Sequence, residues 1–155
     1  MMEGEWKPPE WWYRKKRPAN DDAYFENMCR IIFQAGLNWN VIDKKWSSTR
    51  KAFAQFSIEK VASFTDSDVE RLLKDEGIVR NRSKVCAIIQ NALEFKEIRK
   101  QCGSFKSYLD SLDKSENYAL AVKELSSRFK RLGPSSASLF LYTVGEEIEP
   151  FDMPH

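Results

Sequence analysis

The stretch KRLGPSSASLFLYTV, residues 130–144, brings together two basic residues, a glycine–proline turn and an apolar run. Pro134 suits the first position of a helix, where a missing N–H costs nothing and φ is already helical. A glycine turn that opens a helix leaves backbone N–H groups unpaired, and these favour an anion such as phosphate. The hydroxyls of Ser135 and Ser136 would add donors. The alternative is a helix corner in which Gly133 and Pro134 serve only the geometry of the turn.

Helical spacing of apolar residues extends through most of the chain before this turn. No segment alternates apolar and polar residues convincingly, so the sequence predicts an all-α, multi-helix domain. The predicted helices and capped turns are 20–36, 38–53, 57–61, 65–77, a long helix from 81 or 83 to 103, a short helix from 104, 116–132, and a final helix from 134.

Composition places the chain among folded domains. Its 155 residues are 42% hydrophobic and 31% charged, which suits one domain with a real core. Residues 1–19 are rich in Trp, Pro and Lys without periodicity, and we predict an extended arm there. Residues 20–155 form the predicted domain, which we expect to be monomeric. No apolar run is long enough to cross a bilayer, so no membrane partner is expected.

The chain contains three cysteines, which are widely spaced and form no CxxC pair. Cys29 and Cys86 lie in apolar helical patterns, so we predict reduced, structural thiols and a cytoplasmic protein. The single histidine is His155. This set of residues does not suit a structural zinc site, and we expect neither a metal nor a cofactor.

The net charge of +2 does not indicate a nucleic-acid partner by itself. Cations are nevertheless clustered locally. Lys130 and Arg131 precede the glycine turn, and Arg80, Arg82 and Lys84 lie at the start of the long helix. Cations at a helix start could contact phosphates, although most such charges belong to a solvated face.

The glycine turn resembles the helix-hairpin-helix of the DNA glycosylase superfamily, whose pattern G-x-G-x-x-x-A binds a DNA phosphate. Gly133 and Ala137 match the second glycine and the alanine, whereas Arg131 stands in place of the first glycine. Asp152 follows at about the spacing of the superfamily's catalytic aspartate.

Two upstream blocks resemble, more narrowly, the 3-methyladenine DNA glycosylase I family. The block FENMCRIIFQAGLNWNVIDKK, 25–45, is similar to that family's F-E-x-x-x-L-E-x-x-Q-A-G-L-S-W. The block GIVRNRSKVCAIIQNA, 77–92, is similar to its G-I-I-R-x-x-x-K-I-x-A-I-I-x-N-A. With the hairpin, these blocks cover most of residues 21–152.

The resemblance implies a glycosylase of base-excision repair that binds double-stranded DNA, extrudes a damaged base and releases it by hydrolysis. It assigns Gln34 as the wedge that fills the hole in the duplex and Trp39 as a stacking face in the base pocket. The simpler alternatives are that Gln34 bonds a turn carbonyl and that Trp39 belongs to the core.

The narrow family carries a base-recognising glutamate where this chain has Ile31, and its Cys and His zinc ligands are missing here. The superfamily's role for Asp152 is to stabilise a cation-like sugar and activate water; a cap or terminal sequence is the alternative. Ser135 stands where strand-cleaving relatives carry a lysine nucleophile, so the resemblance implies a monofunctional enzyme that does not cleave the strand. The resemblance also implies alkylated purines as the substrate class.

Two other functions remain possible from the sequence. A catalytically silent relative could keep the hairpin and bind DNA or damaged DNA. An all-α protein-interaction module could use the tryptophan-rich arm as its contact segment.

Overall fold

A computed structural model describes residues 16–149, and in this part of the chain the secondary structure is helical throughout. The all-α prediction is confirmed. The predicted boundary between an arm and a domain lies close to the first described residues and stays a prediction. The helices are α1 Asp21–Gln34, α2 Trp39–Ala52, α3 Ile58–Ala62, α4 Asp66–Leu73, α5 Arg82–Cys102, α6 Phe105–Ser111, α7 Ser115–Arg128 and α8 Pro134–Thr143, with a short 3-10 turn at Ala54–Phe56.

Side-chain caps start several of these helices where the sequence predicted them. The side chain of Asn20 accepts a hydrogen bond from the Ala23 N–H at the start of α1. Asn81 does the same for Lys84 at α5. Each cap satisfies an N–H that has no partner within the helix, which stabilises the helix start by about 1 kcal/mol.

The core surrounds α1, which packs against α2, α5 and α8. Tyr24, Met28, Ile31 and Ile32 of α1 are almost fully buried, as their spacing predicted. Other aromatic rings complete the core, and one pair, Phe95–Phe105, stacks with a centroid separation of 4.4 Å. Large buried rings contribute most of the apolar surface removed from water.

Two helices end earlier than the sequence predicted. Helix α4 ends at Leu73 rather than near Gly77, and α7 ends at Arg128 rather than at Leu132. In the second case Phe129 is extended (φ −105°, ψ 144°), and both Phe129 and Leu132 are buried. Burial of these two side chains in the turn is favoured over another helical turn.

An ion cluster around one buried carboxylate connects the two ends of the described chain. The Glu146 carboxylate, whose side chain is 2% exposed, contacts Arg17 at 3.2 Å and Lys114 at 2.7 Å. Arg17 also pairs with Asp110 at 2.8 Å. We call Arg17, Asp110, Lys114 and Glu146 the terminal ion cluster.

The three cysteines are free thiols, as predicted, and Cys29 is buried. No helix within residues 16–149 is long and apolar enough to span a membrane.

Candidate functional site

The turn between α7 and α8 adopts a hairpin geometry in which Arg131 is the left-handed residue, with φ 56°. Glycine occupies this conformation at no steric cost, whereas another residue pays about 1–2 kcal/mol. Arg131 stands where the hairpin pattern has its first glycine, and the chain therefore forms this turn without that glycine. Its guanidinium donates to the Ser83 hydroxyl at 2.9 Å.

Gly133 is the residue before α8, and nothing in the fold demands a glycine there. Its φ is −70°, and a Cβ built on it would meet open space. No side chain caps α8, and the first backbone bond of the helix runs from Ala137 N–H to the Gly133 carbonyl. The N–H groups of Ser135 and Ser136 therefore have no partner within the helix. The corner is therefore sterically open at Gly133 and offers two N–H donors to an anion.

Asn91 of α5 holds this turn in place. Its amide oxygen accepts from the Lys130 N–H at 2.8 Å, and its amide nitrogen donates to the Lys130 carbonyl at 3.0 Å. Asn91 is 1% exposed, so both bonds are shielded from water. A polar residue on the apolar side of a long helix was the sequence signal for such a role, and the sequence analysis missed it.

The cations predicted to bind DNA differ in their surroundings. Arg80, Lys130 and Arg131 are exposed, and Arg131 reaches the start of α5 through Ser83. Arg82 is also exposed, but its guanidinium pairs with Glu70 at 2.8 Å. Glu70 therefore offsets part of the positive charge that Arg82 would offer to a phosphate.

The prediction that Lys84 contacts DNA is wrong, because this side chain is buried. It is 3% exposed, and its ammonium donates to the carbonyls of Phe33 at 2.9 Å and Ala35 at 2.8 Å. Burial, with a smaller contribution from Arg131, lowers the pKa of Lys84. Its charge satisfies the last carbonyls of α1 and is not presented to solvent.

The first residues of α5 therefore contact two separate turns. Ser83 contacts Arg131 of the hairpin, and Lys84 binds the backbone on both sides of Gln34. Gln34 itself is 2% exposed and donates to the Leu37 carbonyl at 3.4 Å. In this arrangement Gln34 lies inside the protein, and insertion into DNA would require it to swing out.

The predicted base-pocket residues lie on two consecutive helices, α1 and α2. Ile31 is 1% exposed in the third turn of α1. Trp39 is half-buried at the first position of α2, which Asn38 caps. Asp152 lies outside the described residues. Two surface cavities of about 550 and 520 Å³ lie elsewhere, one near Tyr24 and one near Trp46.

Within residues 16–149, no group of three or more His, Cys, Asp or Glu side chains could hold a metal ion.

Comparison with known proteins agrees with the family resemblance of the sequence. Residues 9–139 match the model of the methyladenine glycosylase family. DNA-3-methyladenine glycosylase 1 of Escherichia coli K12 is 36% identical over 107 residues, which are 69% of this chain and 53% of that protein. The Haemophilus influenzae Rd enzyme is 32% identical over 123 residues, 79% of this chain and 62% of that protein. The chain thus spans between half and two thirds of the length of these curated relatives.

Solved structures share the fold. Staphylococcus aureus 3-methyladenine DNA glycosylase I, studied for 3-methyladenine recognition, superposes with a TM-score of 0.78 at 26% identity, over 96% of this chain and 92% of that one. A Tyr→Phe variant of 3-methyladenine DNA glycosylase I, solved in complex with 3-methyladenine, superposes with a TM-score of 0.74 at 30% identity, over 92% of this chain and 87% of that one. The family match extends across most of the chain, from residue 9 into α8, and the chain belongs to the methyladenine glycosylase family.

Proposed function

We propose that this protein is a monofunctional DNA glycosylase of base-excision repair, acting as a monomer in the cytoplasm, that releases an alkylated purine from double-stranded DNA. The observation that carries the proposal is the corner at Gly133, where open space and unpaired N–H groups suit a phosphate oxygen. Family membership supports the same activity.

In this proposal the hairpin fixes the DNA backbone. The amides of Ser135 and Ser136 donate to a phosphate, and Gly133 and Pro134 allow the close approach. Lys130, Arg131 and Arg80 add charge to the same face, and Arg82 joins them once it leaves Glu70. Because each neutralised phosphate releases counterions, affinity should fall steeply with salt.

The base leaves the stack and enters the pocket near Ile31, where Trp39 offers an aromatic face. A cationic alkylated purine gains cation–π attraction from such a face. Gln34 fills the vacated space in the duplex. The Lys84 bonds on either side of Gln34 keep the backbone fixed while the side chain moves.

Hydrolysis breaks the bond between the sugar carbon and the base nitrogen. The base departs with the bonding electrons, and water adds to the cation-like sugar carbon and loses a proton. Asp152 is the proposed carboxylate that stabilises the sugar cation and accepts that proton. Ser135 offers no amine for a Schiff base, so the product is an intact strand with an abasic site.

Base release from dimethyl-sulfate-treated duplex DNA tests the proposal, with released bases separated by chromatography and abasic sites counted. We expect release by the wild-type protein and loss of release, with DNA binding kept, in Asp152→Asn. Full activity in Asp152→Asn would remove that residue from the mechanism.

The hairpin is tested by Gly133→Ala. Its Cβ meets no protein atom, so the protein should fold unchanged, whereas DNA affinity should fall about tenfold because a phosphate contact is obstructed. Lys130→Ala should also weaken binding, and Lys123→Ala, an exposed lysine of α7 away from the turn, is the matched control. Equal binding by Gly133→Ala and wild type would overturn the role of the corner.

A second candidate function is a DNA-binding relative without catalysis. It is favoured by Ile31, a buried apolar residue where the related enzymes are expected to have a glutamate. Salt-dependent DNA binding without release of any alkylated base would establish it. No salt-dependent affinity for DNA at all would favour the protein-interaction module.

A further inference from the structure

Lys84, in the first turn of α5, is a buried cation without a carboxylate partner among residues 16–149. An ammonium loses its hydration when it is buried, so hydrogen bonds must replace the water. They are made to the Phe33 carbonyl at 2.9 Å and the Ala35 carbonyl at 2.8 Å. Neither carbonyl accepts a backbone hydrogen bond within the described chain. Lys84 and the end of α1 therefore satisfy each other.

The two bonds enclose Gln34, because Phe33 is the residue before it and Ala35 the residue after it. Ala35 has already left the helix, with φ −56° and ψ 123°, and Gly36 continues the turn with φ 79°. The backbone at Gln34 cannot shift relative to α5 unless one of these shielded bonds lengthens or breaks. Lys84 therefore determines where the turn that carries Gln34 stands relative to α5.

The same helix also holds the hairpin corner. Ser83, the neighbour of Lys84, accepts a hydrogen bond from the Arg131 guanidinium at 2.9 Å. Asn91, two helical turns further on, bonds the N–H and the carbonyl of Lys130 at 2.8 and 3.0 Å. Since α5 is one continuous helix of 21 residues, it sets the spacing between the corner and the turn after α1.

We propose that Lys84 is a positioning residue for base extrusion, through which α5 keeps the turn that carries Gln34 at a fixed distance from the corner at Gly133. This inference rests on the proposed function, in which the corner binds a phosphate and Gln34 enters the duplex. With the spacing fixed, the energy of phosphate binding at the corner presses Gln34 into the base stack. Without the two Lys84 bonds, the turn yields and the base stays paired.

A paired base and an unpaired base should respond differently to the loss of Lys84. Extrusion costs least when the target nucleotide has no partner, because only stacking has to be broken. A merely structural role of Lys84 would slow release of both bases by the same factor. A positioning role in extrusion slows release of the paired base more, so the ratio of the two rates separates the roles.

The test uses one DNA strand with a single adenine, treated with dimethyl sulfate and annealed to a complement with thymine or an abasic analogue opposite the adenine. Release of methylated adenine is measured in single-turnover reactions at saturating protein, so differences in affinity do not enter. In Lys84→Met, release opposite thymine should fall by about tenfold more than release opposite the abasic analogue. DNA affinity and its salt dependence should stay those of the wild type, because the buried ammonium contacts no phosphate.

Four further variants define the role. Lys84→Arg keeps donors for both carbonyls and should restore most of the wild-type ratio. Gln34→Ala should lower the ratio as Lys84→Met does, and the double variant should lower it little further, since Lys84 acts through Gln34. Lys100→Met, at an exposed lysine of the same helix, is the matched control and should keep the ratio.

Equal slowing of both duplexes in Lys84→Met, with the wild-type protein active, would overturn the inference and leave the proposed glycosylase standing. A weaker salt dependence of DNA binding in Lys84→Met would also overturn it, since Lys84 would then contact a phosphate. If Lys84→Met is unfolded at the assay temperature, Lys84→Gln replaces it. Its side chain is one bond shorter, and a wild-type ratio in this folded variant would equally contradict the inference. A wild-type protein that releases no base from either duplex would refute the proposed function itself.

Discussion

Arg131 shows how a single residue can serve shape and charge at once. It occupies the left-handed conformation of the hairpin at φ 56°, bonds Ser83 of α5, and adds an exposed cation two residues before Gly133. A glycine there would relax the backbone but remove the charge. The arginine therefore makes the turn less stable and the surface more attractive to an anion.

Arg131→Gly should raise the free energy of unfolding by about 1 kcal/mol, since the left-handed conformation no longer carries a steric cost. DNA affinity should fall, because one cation is lost. Chemical denaturation and salt-dependent binding measure the two effects. Lys130→Ala is the control, which should weaken binding without gaining stability. A less stable Arg131→Gly would show that the bond to Ser83 outweighs the backbone strain.

At this scale the sequence could predict what depends on neighbours in the chain. The start of α1 at Asn20 was predicted, and the start of α5 was predicted at Asn81 or Ser83, because a cap acts on an N–H three residues away. Lys84 was wrongly predicted to face DNA. Its local sequence is as basic as that of Arg80, and only the position of the α1 carbonyls shows that the ammonium is buried.

The junction of α7 and α8 is decided by contacts between elements. The helical pattern of the sequence continues to Leu132, yet α7 ends at Arg128. Asn91, 39 residues earlier in α5, takes up both backbone groups of Lys130. A pattern within α7 alone cannot reveal a partner so far away in the sequence, so the existence of the two helices was predictable but the start of the turn was not.

Asn91→Leu should destabilise the protein by about 2–3 kcal/mol, because it leaves the N–H and carbonyl of Lys130 without partners in a shielded site. The turn should also loosen, and hydrogen exchange at residues 129–132 should accelerate. Denaturant unfolding and exchange mass spectrometry provide the readouts. Gln90→Ala, next in sequence but exposed, should change neither stability nor exchange. An Asn91→Leu protein of wild-type stability would contradict the role of the two Asn91–Lys130 bonds.

At the scale of the whole molecule, the terminal ion cluster joins the two ends of the described chain. Glu146 lies just after α8 and Arg17 just before α1. Asn117 of α7 bonds the backbone of Glu149 twice, at 2.8 and 3.2 Å. The family and the all-α fold were predictable from sequence blocks that each cover a short, continuous part of the chain. This long-range pairing was not, because oppositely charged residues occur throughout the chain and no local pattern selects Arg17 and Glu146.

Acid should weaken the pairing of Arg17 with Asp110 in the terminal ion cluster. The hydrogen bond from Arg17 lowers the pKa of Asp110, so the folded state binds a proton less readily than the unfolded chain. The stabilisation is therefore present above the ordinary aspartate pKa of about 3.9 and is lost as the pH falls through the lower folded value.

Melting temperatures of the wild type and Asp110→Asn between pH 6 and 2.5 measure this contribution. Asp110→Asn should be less stable near pH 6 and should lose less stability on acidification. Glu116→Gln, an exposed carboxylate of α7 without an ion pair among the described residues, is the control. Parallel acid curves for wild type and Asp110→Asn would exclude Asp110 as a contributor.

The contact between Arg17 and Glu146 joins positions 129 residues apart in sequence. Fluorescent labels at Lys16 and Glu149 would accordingly begin within energy-transfer range of each other. If the contact between Arg17 and Glu146 breaks when DNA binds, the transfer efficiency falls as binding proceeds. Single-molecule measurements could then time each breaking and re-forming of this contact.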